Sequence, residues 1–149
     1  KHAIPVVVDP KGTDFSGYRD ATIVTPNISE FIQSVGDCQS TEEFNRKAYS
    51  LIEKLSLQGL LVTRGPEGMT LFAADGRCIN QSSDAKQVYD VSGAGDTVVA
   101  AIAVFLACGM GWMEILGYAN TAAGLVVEKF GTATVTLPEI IDQLKRATE

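Results

Sequence analysis

The chain has 149 residues, 46% of them hydrophobic and 20% charged. That is enough apolar material for one packed domain and too much for a disordered chain. The formal net charge of −6 argues against broad binding to nucleic acid or anionic membranes, but not against a phosphate held by local amides, cations or a metal ion.

No uninterrupted apolar run reaches the roughly 18 residues of a membrane span. No charged-then-apolar signal segment opens the sequence. Cys38, Cys78 and Cys108 show no metal-type spacing. An odd count without a secretion signal reads as free thiols in a reducing, cytoplasmic compartment. A catalytic histidine would have to be His2, the one histidine present. Lys1-His2-Ala3 carries no starting Met and runs straight into an apolar run, as a piece of a longer protein would.

In chain order, Ile4 to Asp9 is a β-rich run that Pro10 ends, as a buried strand would be. Thr22-Ile23-Val24 is a second strand, stopped by Thr25-Pro26. Asn27 then caps a helix through about Val35, with Glu30 at the third helical position and Gly36 as a stop. Ser40-Thr41-Glu42-Glu43 spells a capping box for a helix to about Leu57, with Phe44, Ala48, Leu51, Ile52 and Leu55 on one face. Leu60 to Thr63 is a strand and Gly65 to Gly68 a turn. Met69 to Ala73 and Arg77 to Asn80 flank Ala74-Asp75-Gly76 as a hairpin. A helix follows Gly95 to about Cys108. Another runs from about Trp112 to Lys129 and ends at Gly131. Thr136 to Glu139 is a second capping box, opening a last helix to the C-terminus.

Strands separated by helices predict an α/β layered domain with a mostly parallel sheet. Ligands in such folds sit beyond the carboxyl ends of the strands. Polar clusters stand at those ends: Asp9 to Gly12, Thr25-Pro26-Asn27 with Glu30, and Thr63-Arg64-Gly65. The turn Ser92 to Asp96 is a fourth.

That fourth cluster carries the chemistry. Gly93-Ala94-Gly95 can bring backbone N–H groups close to an anion, and the following helix adds its positive end. A phosphate, or the charge that builds up in phosphoryl transfer, suits such a turn. Asp96 beside it can take a proton from an attacking hydroxyl. The plainer reading is that an aspartate in a first helical turn is favoured by the helix dipole alone. No Gly-Lys-Ser/Thr follows, so this is not a Walker loop. Val98 stands where a dinucleotide fingerprint needs its third glycine, which counts against a dehydrogenase.

The string Asp90-Val91-Ser92-Gly93-Ala94-Gly95-Asp96 resembles the C-terminal signature of the ribokinase-like (PfkB) sugar kinases, Asp-Thr-x-Gly-Ala-Gly-Asp. Val91 departs mildly from that pattern. The resemblance implies a ribokinase-like three-layer α/β/α fold, with Asp96 as the base and the Gly93–Asp96 amides as an anion hole. Asn27-Ile28-Ser29-Glu30 looks like the family's Asn-x-x-Glu motif. It implies ATP and Mg²⁺, with Glu30 acting on the metal indirectly. Thr63-Arg64-Gly65 looks like the nucleotide-contacting segment. Asn120, Ala123 and Gly124 match the helix lining the adenine pocket. Asp90, Ser92, Gly131 and Thr134 fall where some relatives bind a monovalent cation such as K⁺.

The run "DPKGTDFSGYRDA", with "LLVTRGPEGMTLF" and "FGTATVT", is similar to the kinase domains of bacterial heptose 7-phosphate kinase/heptose 1-phosphate adenylyltransferases. Lys11 then meets a phosphate. The resemblance implies ATP-dependent phosphorylation of D-glycero-β-D-manno-heptose 7-phosphate at O1, on the way to ADP-heptose and lipopolysaccharide. It makes residues 1–149 the C-terminal half of a kinase domain, inactive alone and part of a cytoplasmic homodimer when whole. The alternatives are a kinase for ribose or fructose 1-phosphate and a non-catalytic nucleotide-binding domain.

Overall fold

The computed structural model describes residues 4–83, 85 and 87–147. His2 lies outside the described residues. The chain forms two compact units, Lys1–Gly65 with Met69–Asn80, and Pro66–Gly68 with Gln81–Glu149.

The first unit is built on a sheet in the order β1-β2-β3-β4-β5. Its strands are β1 (Val7–Val8), β2 (Ile23–Val24), β3 (Gly59–Thr63), β4 (Met69–Ala73) and β5 (Cys78–Gln81). β1, β2 and β3 run parallel, with Val8 beside Val24 and Val24 beside Leu60. β4 is antiparallel to β3, with Leu61 opposite Leu71. The sheet is therefore mixed, three parallel strands followed by an antiparallel return. The cause is the connection: a short turn after β3 can only return antiparallel, whereas parallel pairing needs a long crossover.

That crossover, between β2 and β3, carries α1 (Ile28–Val35) and α2 (Thr41–Leu55). α1 starts and stops where expected, capped by Asn27 and ended at Gly36 with φ +84°. α2 departs slightly from its predicted cap. The Ser40 hydroxyl accepts the Glu43 N–H, but the Glu43 carboxylate takes the Gln39 N–H at 2.9 Å, one residue outside the expected box. It ends at Leu55, short of Leu57, because Ser56 turns left-handed at φ +55°. β1 is shorter than the Ile4–Asp9 run. The residues before it are exposed, and the Val6 amide goes to the Thr22 hydroxyl at 2.9 Å.

The core of this unit joins Phe15, Val24, Phe31, Ile52, Leu60 and Phe72. Phe44 meets both Phe31 and Phe72 edge-on, with centroids 5.1 and 5.4 Å apart, and Tyr49 meets Phe72 at 5.4 Å. Such edge contacts add to the area that the rings remove from water.

The second unit is helical: α3 (Ala94–Ala107), α4 (Trp112–Val127) and α5 (Leu137–Ala147). Val98, Ile102 and Phe105 of α3, Leu116, Ala119 and Ala122 of α4, and Ile140 of α5 are buried. The Phe105 and Tyr118 rings stack 4.5 Å apart. α3 begins at Ala94 rather than after Gly95, because Gly93 at φ +81° is the residue that breaks from helical geometry. α4 ends at Val127, two residues before Lys129. Among the described residues no helix is long and apolar enough to cross a membrane.

Candidate functional site

The predicted site residues fall into two groups, one in each unit. In the first unit the parallel strands bring three polar clusters to one rim. The Thr25 amide and hydroxyl both donate to the Val8 carbonyl, at 2.9 and 3.1 Å, so the β1 and β2 ends are stitched together. The Thr63 N–H donates to the Pro26 carbonyl at 3.0 Å, and Asn27 bridges Thr63 in parallel fashion. Asn27 and Thr63 are thus neighbours although 36 positions separate them in the sequence.

At the head of α1 Asn27 and Glu30 hold each other. Asn27 Oδ1 accepts the Glu30 N–H and Glu30 Oε2 accepts the Asn27 N–H, both at 2.9 Å. This reciprocal box satisfies two amides that a helix start leaves over. It also fixes a half-buried carboxylate at a positive helix end on the rim. Arg64 follows Thr63 in the chain and is half-buried, and Gly65 has φ +58°. Lys11 is exposed, with its ammonium 2.7 Å from Asp9 Oδ2.

The run from Asp9 to Ala21 is mostly architecture. Phe15 and Ala21 are buried in the core. Asp14 accepts the Ser16 amide and hydroxyl, at 2.9 and 3.0 Å. Tyr18 receives the Lys11 N–H at 3.1 Å. Arg19 donates to the Lys54 carbonyl at the carboxyl end of α2 at 2.9 Å, a cation where a helix terminus wants one.

In the second unit the turn before α3 is closely tied. Asp90 Oδ1 accepts the Ser92 N–H at 2.8 Å. That amide, then the Ser92 hydroxyl and the Gly131 amide, hold the Asp90 carboxyl below its ordinary range. The Ala94 N–H closes the turn on the Val91 carbonyl at 3.3 Å. The first amide of the helical ladder is that of Thr97. It shares the Gly93 carbonyl with the Thr97 hydroxyl, both at 2.9 Å. The Gly95 and Asp96 amides precede the ladder and stand at the helix's positive end. Gly93 carries no capping side chain to occupy them.

Asp96 is exposed, and it borders a cleft of about 430 Å³. Gly93, Thr97 and Ala101 line one part of it, and Thr132 and Thr134 another. Asn120 is buried, and its side-chain amide donates to the Ser82 carbonyl at 2.8 Å. Gly124 is buried and Ala123 half-buried on the same helix.

Sequence reasoning missed Lys129 and Glu139. The Lys129 ammonium lies 2.7 Å from the Thr134 carbonyl and 2.8 Å from Glu139 Oε1. The capping box at Thr136 was legible in its spacing; its link to a lysine ten residues back was not.

A parallel-stranded rim with a capped carboxylate, and a glycine turn that presents amides and an aspartate, are together the marks of a phosphate-handling α/β domain. The model of the pfkB family carbohydrate kinases matches residues 1–140, and the chain belongs to that family. It is 48% identical over 145 residues to the Bifunctional protein HldE of Coxiella burnetii, which covers 97% of this chain and 30% of that protein. The chain thus spans less than a third of the length of that curated relative. Its fold is ribokinase-like. The structure of Arabidopsis thaliana ribokinase complexed with ribose and ATP superposes with TM-score 0.84 and 31% identity, over 95% of this chain and 47% of that one. A putative ribokinase II from Escherichia coli in complex with ATP and Mg²⁺ superposes with TM-score 0.74 and 26% identity, over 85% and 40%.

Proposed function

We propose that the complete protein transfers the γ-phosphoryl group of ATP to O1 of D-glycero-β-D-manno-heptose 7-phosphate, giving the 1,7-bisphosphate. Residues 1–149 supply the C-terminal half of its kinase domain. The observation that carries the reading is the turn at Gly93. A left-handed glycine ends the loop, two helix-end amides stand uncapped, and Asp96 follows them at the border of a cleft.

In this reading the Asp96 carboxylate takes the proton of the anomeric hydroxyl. O1 then forms its bond to the γ-phosphorus as the bond to the bridging oxygen of ADP breaks. The Gly95 and Asp96 amides meet the negative charge on the transferred group. The rim of the first unit serves the nucleotide, through Thr63, Arg64 and Gly65. Asn120 and Gly124 back the adenine from α4, and Lys11 meets a phosphate.

The residues fit Mg²⁺ brought in on the phosphates. That ion keeps several waters and takes one or two carboxylates alongside substrate phosphates. Among the described residues no group of three or more His, Cys, Asp or Glu forms a dedicated cage. Glu30, already holding the Asn27 amide through one oxygen, suits a role through water. When bound, the ion supplies charge neutralisation on the phosphates. Asp90, Ser92, Gly131 and Thr134 are the residues that a K⁺ ion would use. The same reading carries a cytoplasmic location and a homodimer.

The heptose assignment is supported by the similarity to HldE and by the "DPKGTDF" run. The test is ATP consumption by the full-length protein against heptose 7-phosphate, ribose, fructose 1-phosphate and adenosine. Turnover on heptose 7-phosphate alone is expected. Turnover on ribose instead would keep the kinase and discard the heptose. Bound ATP without turnover on any acceptor would leave a non-catalytic nucleotide-binding domain.

A further inference from the structure

Two side chains of the second unit, Lys129 and Glu139, have no part in the chemistry above. Lys129 stands just past the end of α4, and Glu139 lies in the first turn of α5. Between them runs the irregular segment 130–136. The Lys129 ammonium donates to the Thr134 carbonyl and to Glu139 Oε1. The other Glu139 oxygen accepts the Thr136 N–H at 2.7 Å and its hydroxyl at 2.8 Å. One ion pair therefore fastens both ends of the segment, with four hydrogen bonds at or below 2.8 Å.

The fastened segment meets the glycine turn. The backbone of Gly131 helps to keep the Asp90 carboxyl below its ordinary range, and that carboxylate holds the Ser92 amide. A Cβ built on Gly93 would lie 3.6 Å from Thr132 Cγ2, so Thr132 packs directly on that turn. Thr132 and Thr134 line the cleft that Asp96 borders.

An exposed surface ion pair contributes little to global stability. A pair that fixes an irregular segment has a different effect, because that segment has no ladder of its own to hold its shape.

We propose that Lys129 is a positioning residue, which with Glu139 latches segment 130–136 against the turn Asp90–Asp96 and so sets the orientation of the Gly95 and Asp96 amides and of the Asp96 carboxylate. The catalytic half of this statement rests on the kinase reading; the mechanical half does not.

The test is hydrogen–deuterium exchange of the full-length protein, followed through the amides of residues 90–97, in Lys129→Met, Lys129→Arg and a distant control, Arg46→Met. Exchange in 90–97 is expected to quicken about tenfold in Lys129→Met, as local opening becomes easier. Lys129→Arg keeps a donor cation and is expected to restore slow exchange, and Arg46→Met to leave it unchanged. In steady-state kinetics Lys129→Met is expected to lower kcat about tenfold with a smaller change in KM for ATP, since positioning acts on the reacting geometry. Exchange that quickens only in 130–137, or uniformly along the chain, would overturn the proposal. If Lys129→Met does not fold, Glu139→Gln removes the ion pair while keeping an acceptor for the Thr136 amide. Unchanged exchange in 90–97 there would overturn it equally. Wild-type protein that turns over no acceptor, yet shows the coupled exchange, would sink the kinase reading and leave the latch standing.

Discussion

Asn27 and Glu30 each accept the other's backbone N–H, at 2.9 Å in both directions. The two residues proposed to serve Mg²⁺ are therefore also a helix cap, and the two roles can be separated. Asn27→Ala removes the cap and is expected to cost about 1 kcal/mol, read from urea unfolding. Glu30→Gln keeps an oxygen for the Asn27 amide, so its stability should move less. Its Mg²⁺ requirement in the full-length protein should rise. An unchanged Mg²⁺ titration would leave Glu30 with the cap alone.

The two glycines of the turn predict opposite changes in stability. Gly93 sits at φ +81°, where an added Cβ costs roughly 1–2 kcal/mol. Gly93→Ala should therefore lower both stability and turnover. Gly95 is helical, and a Cβ on it meets nothing within 4 Å. Gly95→Ala should stabilise the protein by up to about 1 kcal/mol while lowering turnover, because the methyl group obstructs approach to the amides. Thermal unfolding beside kinetics separates the two. Full turnover in Gly95→Ala would remove that amide from the anion site.

Phe72 is fully buried and receives Phe44 and Tyr49 edge-on. Phe72→Ala should cost about 3–5 kcal/mol, measured by denaturant unfolding. Phe72→Leu should cost distinctly less. Equal losses would mean that the aromatic contacts, rather than the volume, hold this part of the core.

The Lys129 ammonium, then the Thr136 amide and hydroxyl, pull the Glu139 carboxyl from 4.5 to about 2. A carboxyl whose folded value lies below its unfolded one contributes stability above the unfolded value. That contribution is lost as pH falls towards the folded value. The window is therefore pH 4.5 down to about 2. Urea midpoints followed from pH 7 to 2 should fall in that range. The acid part of the curve should be shallower in Glu139→Gln. Asp14, Asp75 and Asp90 are also held low by hydrogen bonds, so the variant should flatten the fall without abolishing it.

Local chemistry made α1 legible, because Asn27, Glu30 and Gly36 are start and stop signals whose partners lie three or four residues away. The hairpin at Ala74-Asp75-Gly76 was legible for the same reason: Gly76 takes φ +91° and Asp75 holds the Arg77 side chain. The strand at Ile4–Asp9 was overextended, because an apolar run does not show that the Val6 amide is taken by Thr22. The site motifs could be read at Asp90–Asp96 and at Asn27–Glu30. The stitching of Thr63 to Pro26 and the latch of Lys129 on Glu139 join positions that no periodicity connects. Phe15, Tyr18 and Ala21 show the converse: residues read from the sequence as part of a motif serve largely to pack and to fix a loop.

The central claim is that Asp96 is the base of a phosphoryl transfer. The most direct measurement is turnover of heptose 7-phosphate by the full-length protein and its Asp96→Asn variant, with ATP binding measured on both. A loss of about 10² to 10⁴ in kcat is expected, the range of a general base, with ATP affinity nearly unchanged. Asparagine keeps the shape and cannot take the proton. Wild-type turnover in the variant would contradict the assignment.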